Sequence, residues 1–137
     1  MDILTPEARS AMMSRIRGKD TAPELTVRHV LFALGYRYRL HAKALPGRPD
    51  LVFPARRKVI FVHGCFWHGH ACLGGKLPGT RSNFWSTKIS DNKRRDRRNR
   101  AGLRRLGWAS LVVWECALRR VKNLTPATDR MVQFLEG

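Results

Sequence analysis

Val59-Ile60-Phe61-Val62-His63-Gly64-Cys65-Phe66-Trp67-His68-Gly69-His70-Ala71-Cys72 runs from an unbroken series of β-branched and aromatic residues into a cluster of ligand-type side chains. The run Val59–His63 is the pattern of a central strand covered on both faces. Three of the five histidines and two of the three cysteines fall within the ten residues from His63 to Cys72, a density that a packed core does not require. Cys65, His70 and Cys72 have the softness and spacing of a zinc half-site, and Phe66 and Trp67 are apolar side chains that a compact metal knot can hold out toward a partner. The stretch reads as a metal-stapled platform beside an active site.

Working outward, Asp50-Leu51-Val52-Phe53 is an adjacent strand, preceded by the turn Leu45-Pro46-Gly47-Arg48-Pro49 and by Tyr36–Leu40, whose period-two alternation predicts a half-exposed strand. Thr21 and Glu24 have the spacing of a capping box, and Leu25, Val30, Leu31 and Leu34 repeat at helical intervals until Gly35. An earlier short helix is predicted from the cap Thr5-Pro6 to Arg17. Gly74–Ser82 is a glycine-rich loop, a basic helix covers about Phe84 to Leu106, Trp108–Trp114 is a strand, and a last helix starts at Thr125-Pro126. The order predicts an α/β fold with a mixed central sheet flanked by helices.

At 137 residues and 43% apolar content the chain has room for one core and is read as a single domain over 1–137. Its net charge of +17, from 27 Lys and Arg against 10 Asp and Glu, is concentrated between Lys88 and Arg105 and predicts a polyanionic partner. DNA or RNA is the leading substrate class, and residues 1–20 are expected to form a helical arm that contacts it. The start Met1–Glu7 lacks the basic and apolar runs of a signal peptide, and no apolar run approaches the roughly 20 residues that cross a bilayer. A soluble cytoplasmic protein, nucleoid-associated when bound to DNA, is expected. An odd count of cysteines beside histidines favours metal ligation over disulfides.

Asp50 after Pro49, one strand before a buried strand, is where many nucleases hold a divalent cation. Their usual second carboxylate and lysine are replaced here by Phe61 and His63, which leaves His63 and His68 to complete the chemistry. Hydrolysis of a phosphodiester needs a Lewis acid at the phosphate and a base near the attacking water.

Leu45–Asp50, Val59–Phe61 with His63–His68, Asn83-Phe84-Trp85, Leu106-Gly107-Trp108 and Val113-Trp114-Glu115-Cys116 together resemble the very short patch repair (Vsr) endonucleases over nearly the whole chain. The resemblance implies a restriction-endonuclease-like fold and a Mg²⁺-dependent DNA mismatch endonuclease that nicks 5′ of the mispaired T in a T:G mismatch. It implies Asp50 and the Val62 carbonyl as magnesium ligands, His68 as general base, and His63 and Glu24 as supporting residues. Cys65, His70, Cys72 and Cys116 would bind one structural zinc, and Phe66, Trp67 and Trp85 would enter the base stack. The family generally carries Thr where this chain has Val62; a carbonyl ligand survives that change and a hydroxyl ligand does not. Gly69 stands where some relatives carry histidine, so that position is no required ligand. Mismatch-repair proteins and a cytosine-5 methyltransferase system are the implied partners, and a single nick implies a monomer.

Plainer readings compete at several positions. Asp50 can cap a turn, Glu24 has a capping-box role that needs no catalysis, His68 can replace His70 on zinc, and Phe66, Trp67 or Trp85 can be core. Trp108 and Trp114 are assigned to the core, and His29 and His41 to structure or surface. Lys93-Arg94-Arg95-Asp96-Arg97-Arg98 is a helix face directed at phosphate. Arg48, Lys76, Arg81 and Lys88 are further candidates for phosphate or base contact. The alternatives in function are a Vsr-like nicking nuclease of a restriction or defence system with another target preference, and a non-catalytic zinc-stapled DNA-binding module.

Overall fold

The computed structural model describes residues 21–72 and 82–137. The expected arm at 1–20 and most of the Gly74–Ser82 loop, with Lys76 and Arg81, lie outside the described residues.

Four strands form one mixed sheet in the order β1-β2-β3-β4: β1 Arg39–Leu40, β2 Leu51–Phe53, β3 Lys58–His63 and β4 Ala109–Trp114. β1, β2 and β3 pair antiparallel, whereas β3 and β4 run parallel with Lys58 opposite Ala109 and His63 opposite Trp114. The parallel pair needs a crossover, and the long helix α2, Ser82–Arg105, supplies it. Helix α1, Ala22–Ala33, and helix α3, Val121–Glu136, complete the described elements.

Side chains alternate along each strand, so each helix set meets its own half of the core. Leu51, Phe53, Ile60 and Val113 pack with Val27 and Leu31 of α1 and Met131 and Leu135 of α3. On the opposite face Val52, Val59 and Phe61 pack with Leu103 of α2. Burial on both faces is why β3 reads as a continuous apolar run, each buried Leu or Ile contributing about 1.5–3 kcal/mol.

Thr21 caps α1 as expected, its Oγ1 accepting from the Glu24 N–H at 3.4 Å. The other end closes at Gly35, φ +96°, where Gly35 N–H donates to Phe32 O and Tyr36 N–H to Leu31 O. That closure uses the Tyr36 N–H, and the expected strand from Tyr36 shrinks to Arg39–Leu40. Tyr36 and Tyr38 instead pack edge-on against Phe53, at 6.4 and 5.9 Å between centroids.

The last helix begins at Val121, four residues before the predicted Thr125-Pro126 start, with Pro126 inside it. Its first turn is closed by Asn123 N–H to Arg120 O, and Thr128 Oγ1 donates to Leu124 O at 2.8 Å. At the other end Lys58 Nζ donates to Phe134 O and Gly137 O and Arg56 Nη1 to Leu135 O, so cations from the start of β3 and the turn before it satisfy the terminal carbonyls of α3. Gly47, φ +80°, brings the Pro46 turn onto α2; a Cβ there would lie 3.0 Å from Asn99 Cβ and 3.1 Å from Phe61.

Candidate active site

Antiparallel pairing of β2 and β3 sets Asp50, just before β2, beside the C-terminal end of β3. The Val62 N–H donates to Asp50 Oδ2 at 2.7 Å, which fixes the carboxylate against that strand end. Burial, partly opposed by this hydrogen bond, raises the Asp50 carboxyl to about 7, and the neighbouring Glu24 adds to the rise. Glu24, on α1 and 2% exposed, reaches the same place. Its Oε2 contacts Arg28 Nη2 and lies 3.0 Å from His41 Nε2. Ligand atoms of Glu24, His41 and Asp50 fall within 4.8 Å of one another. The Glu24 backbone N–H is capped by Thr21, while its carboxylate joins the cluster.

His41 is half-buried there and has a structural role, bonded to the Glu24 carboxylate. A lone histidine in a loop gives no spacing signal, and only the β1–β2 pairing, with His41 N–H to Asp50 O at 3.2 Å, reveals it.

His63 ends β3 and stacks on His68, the rings 3.7 Å apart and 6° from parallel. Burial, reinforced by the nearby His68, lowers His63 to about 3, so it is neutral at physiological pH. His68 Nδ1 lies 2.6 Å from Asp96 Oδ2 of α2. An Nδ1–H donated to this carboxylate leaves Nε2 as the proton-accepting nitrogen. Asp96 was hidden inside the basic run Lys93–Arg98; one acidic residue among five cations is its only signal in the sequence. The histidine–carboxylate pair separates His68 from the zinc-type cluster and sets aside the swap with His70.

Cys65, His70, Cys72 and Cys116 present ligand atoms all within 4.8 Å of one another. Cys116 arrives from the 3₁₀ turn after β4, with Sγ 3.6 Å from His70 Nδ1. Two thiols from the loop, a third from the turn after β4 and an imidazole could hold a metal ion, and this donor set is of the kind structural zinc sites use. Burial pushes the Cys65 thiol up to about 12, so a metal bound there must displace its proton. Glu115 supports the knot, its Oε1 accepting from the Cys65 N–H at 3.0 Å. Trp114, expected in the core, is only half-buried and stacks on the His70 ring at 4.2 Å; it walls the site.

Gly69 has φ +66°, and a Cβ there would sit 2.6 Å from Ile89 Cγ2. Gly69→Ala is therefore expected to destabilise the fold by about 1–3 kcal/mol, from strain and overpacking together, measurable as a lower urea midpoint with unchanged slope. A longer side chain at this position would have to displace the Ile89 and Lys93 side chains of α2.

Phe66, Trp67 and Trp85 form a half-buried edge-to-face group with centroid distances of 5.0, 5.2 and 5.9 Å. Phe84, 49% exposed, extends it at 5.1 Å from Trp85. These rings are neither core nor isolated; they form an aromatic ledge between the Cys/His knot and the start of α2. Trp108 does contact the second core half, with Arg57 over its outer face at 4.6 Å.

Carboxylates and histidines converge at one end of a mixed sheet in a strongly basic α/β chain. A family model described as DNA mismatch endonuclease Vsr matches residues 1–74. Type II nicking enzyme V.XorIIP of Xanthomonas oryzae pv. oryzae is 55% identical over 117 residues, covering 85% of this chain and 86% of that protein. DNA mismatch endonuclease Vsr of Escherichia coli is 44% identical over 138 residues, 99% of this chain and 88% of that one. Type II nicking enzyme V.NmeAIP of Neisseria meningitidis is 41% identical over 135 residues, 98% and 96% of the two chains. The chain belongs to the Vsr family of strand-nicking DNA endonucleases. Among the described residues no helix is long and apolar enough to cross a membrane.

The raised Asp50 value gives a pH prediction for cation binding. Below about pH 7 the carboxyl keeps its proton, and a cation held by Asp50 would have to displace it. Mn²⁺ affinity should rise about tenfold per unit as pH increases toward 7 and level off above it. In the metal-free protein the sign is opposite. A folded value above the unfolded one stabilises at low pH, and that contribution is lost as pH rises through about 7. Titration of Mn²⁺ binding between pH 6 and 8 checks the first effect; a flat profile would contradict it.

Proposed function

We propose that this protein is a Mg²⁺-dependent mismatch endonuclease that nicks one strand of duplex DNA 5′ of the mispaired T in a T:G pair. The observation that carries the reading is the His68–Asp96 pair at 2.6 Å at the end of the sheet where Val62 N–H holds Asp50. Stable folding and phosphate binding require neither arrangement.

In this reading Asp50 and the Val62 carbonyl hold the divalent ion, and hard oxygen donors fit Mg²⁺. When bound, the ion supplies Lewis-acid stabilisation of the phosphate. His68 Nε2 takes the proton of the attacking water while Asp96 holds the opposite nitrogen. His63, neutral and stacked on His68, fixes the plane of that ring without adding a second charge. Glu24 supports Asp50 from α1. Cys65, His70, Cys72 and Cys116 bind one structural zinc that ties the ledge to the end of β4.

Phe66, Trp67 and Trp85, with Phe84 beside them, enter the base stack. Insertion costs about a few kcal/mol per step and is cheapest where pairing is already weak, so an apolar wedge favours a mismatch over its matched neighbours. The basic face of α2 and residues 1–20 contact the DNA backbone. The whole chain works as one domain of restriction-endonuclease-like fold and acts as a monomer. A T:G pair produced by deamination of 5-methylcytosine links the enzyme to a cytosine-5 methyltransferase and to mismatch-repair proteins.

The name type II nicking enzyme carried by relatives favours one further reading, a nicking nuclease of a restriction or defence system with another target preference. Labelled duplexes identical except for T:G, other mismatches or matched T:A separate the two. A single nick 5′ of the T, confined to T:G, supports mismatch repair; cleavage indifferent to the mismatch would overturn it in favour of the second reading.

A further inference from the structure

Arg100 and Arg104 stand one turn apart on α2 and line a groove of about 430 Å³ that Gly107, Trp108, Ala109 and Ser110 complete. β4 is the outermost strand of the described sheet, so the groove lies along its free edge. Arg100 Nε donates to Ser110 Oγ at 3.1 Å, which fixes the guanidinium and leaves its two terminal nitrogens for a ligand. Nearby, Arg57 lies over the Trp108 ring at 4.6 Å and donates from Nη2 to Leu106 O at 2.7 Å.

Other arginines of the chain face a carboxylate: Arg56 faces Glu136, Arg94 faces Asp91 and Arg119 faces Glu115. Among the described residues no carboxylate pairs with Arg57, Arg100 or Arg104. Like charges one helical turn apart repel, and an anion lying between them removes that cost. Guanidinium forks bind phosphate oxygens in pairs, so in a DNA-cutting chain a backbone phosphate is the anion this groove suits.

The place of the groove along α2 tells which phosphate. Trp85 belongs to the aromatic ledge, and Asp96, about 17 Å further along the helix, holds His68. Arg100 follows about 6 Å past Asp96 and Arg104 about 12 Å past it, steps close to the spacing of successive phosphates on one strand. The groove begins beside the histidine pair: His63, held low chiefly by burial, is lowered further by the Arg100 charge.

We infer that this groove carries the cut strand on the 5′ side of the nick, with Arg100 and Arg104 on the first and second phosphates beyond the one hydrolysed. The inference rests on the proposed reading, in which the aromatic wedge enters beside the mispaired T and His68 acts at the phosphate 5′ of it. Passing along α2 from wedge to His68 to groove then follows the strand from the T toward its 5′ end. Neither arginine touches the reacting atoms. They hold the strand in register before the cut and keep its new end in place afterwards.

The test is a cycle between protein and DNA charges, with full-length protein and T:G duplexes carrying one neutral methylphosphonate at each backbone position in turn, on either strand. Affinity is measured without added Mg²⁺. Wild type should lose about fivefold or more when either of the first two phosphates 5′ of the nick is neutral. Arg100→Gln with Arg104→Gln, both exposed and able to change without disturbing the core, should bind the natural duplex about fivefold or more weakly and be indifferent to those two substitutions. Its affinity should also fall less steeply with salt, by about two in the log–log slope. Equal losses at those positions in wild type and variant would overturn the inference, as would coupling of the arginines to phosphates 3′ of the nick or on the uncut strand. Failure of the wild type with Mg²⁺ to nick the natural duplex 5′ of the T would instead remove the reading beneath it, and the strand assignment with it.

Discussion

Asp96→Asn should lower the single-turnover nicking rate by roughly 10²- to 10⁴-fold while leaving affinity for the mismatched duplex unchanged or slightly tighter. The geometry separates the two effects. Asp96 Oδ2 lies 2.6 Å from His68 Nδ1, and a carboxylate there can only accept, which fixes the proton on Nδ1 and frees Nε2 for the water. An amide can present its NH₂ instead, which favours the opposite tautomer with the proton on Nε2, where a base is required. Removal of one negative charge from a helix rich in arginine does not weaken phosphate binding. Equal losses of rate and affinity would show that Asp96 only shapes the α2 surface. An unchanged rate would remove His68 from the role of base.

The second large effect is expected at the Cys/His knot. Cys116 is the one ligand-type residue of that group from beyond the end of β4, so Cys116→Ala leaves the Cys65–Cys72 loop tied to that end only by the Glu115 hydrogen bond and the His70–Trp114 stack. Stripping zinc with a chelator, or making Cys116→Ala, should remove roughly 3 kcal/mol or more of stability, which for a domain of this size lowers the melting temperature by about 10 °C or more. The aromatic ledge should loosen at the same time, seen as a red shift of Trp67 and Trp85 emission before global unfolding. A melting temperature unaffected by both changes would mean that the knot holds by packing alone, with the His70–Trp114 stack as its main contact.

Much of this was legible from side-chain pattern alone. The unbroken run Val59–His63 marks the strand covered on both faces, and Thr21 and Gly35 bracket α1 because cap chemistry is local. Where the pattern misled, a non-local partner had taken over. Tyr36 alternates like a strand residue, but its N–H closes the end of α1. Pro126 looks like a first helical residue, yet α3 extends back to Val121.

At the site, Asp50, His63 and His68 stand out because they flank a buried strand. Asp96, His41 and Arg28 do not, since each is brought in by an element whose sequence neighbours have other roles. Trp114 looked like core because it ends an apolar strand. The parallel register that sets it opposite His63 turns it toward the histidines instead, 5.4 Å from the His63 ring.

The central claim is that Asp50 holds the ion that makes this domain cut. Its most direct test is strand-resolved cleavage of a T:G duplex, labelled in turn on each strand, by wild type and Asp50→Ala, with Mg²⁺ or with EDTA, alongside a binding measurement on the same duplex. A single nick in the T strand is expected from the wild type with Mg²⁺ alone, absent with EDTA and absent from Asp50→Ala even though that variant still binds the duplex. A nick that persists in Asp50→Ala, or in EDTA, would contradict the account.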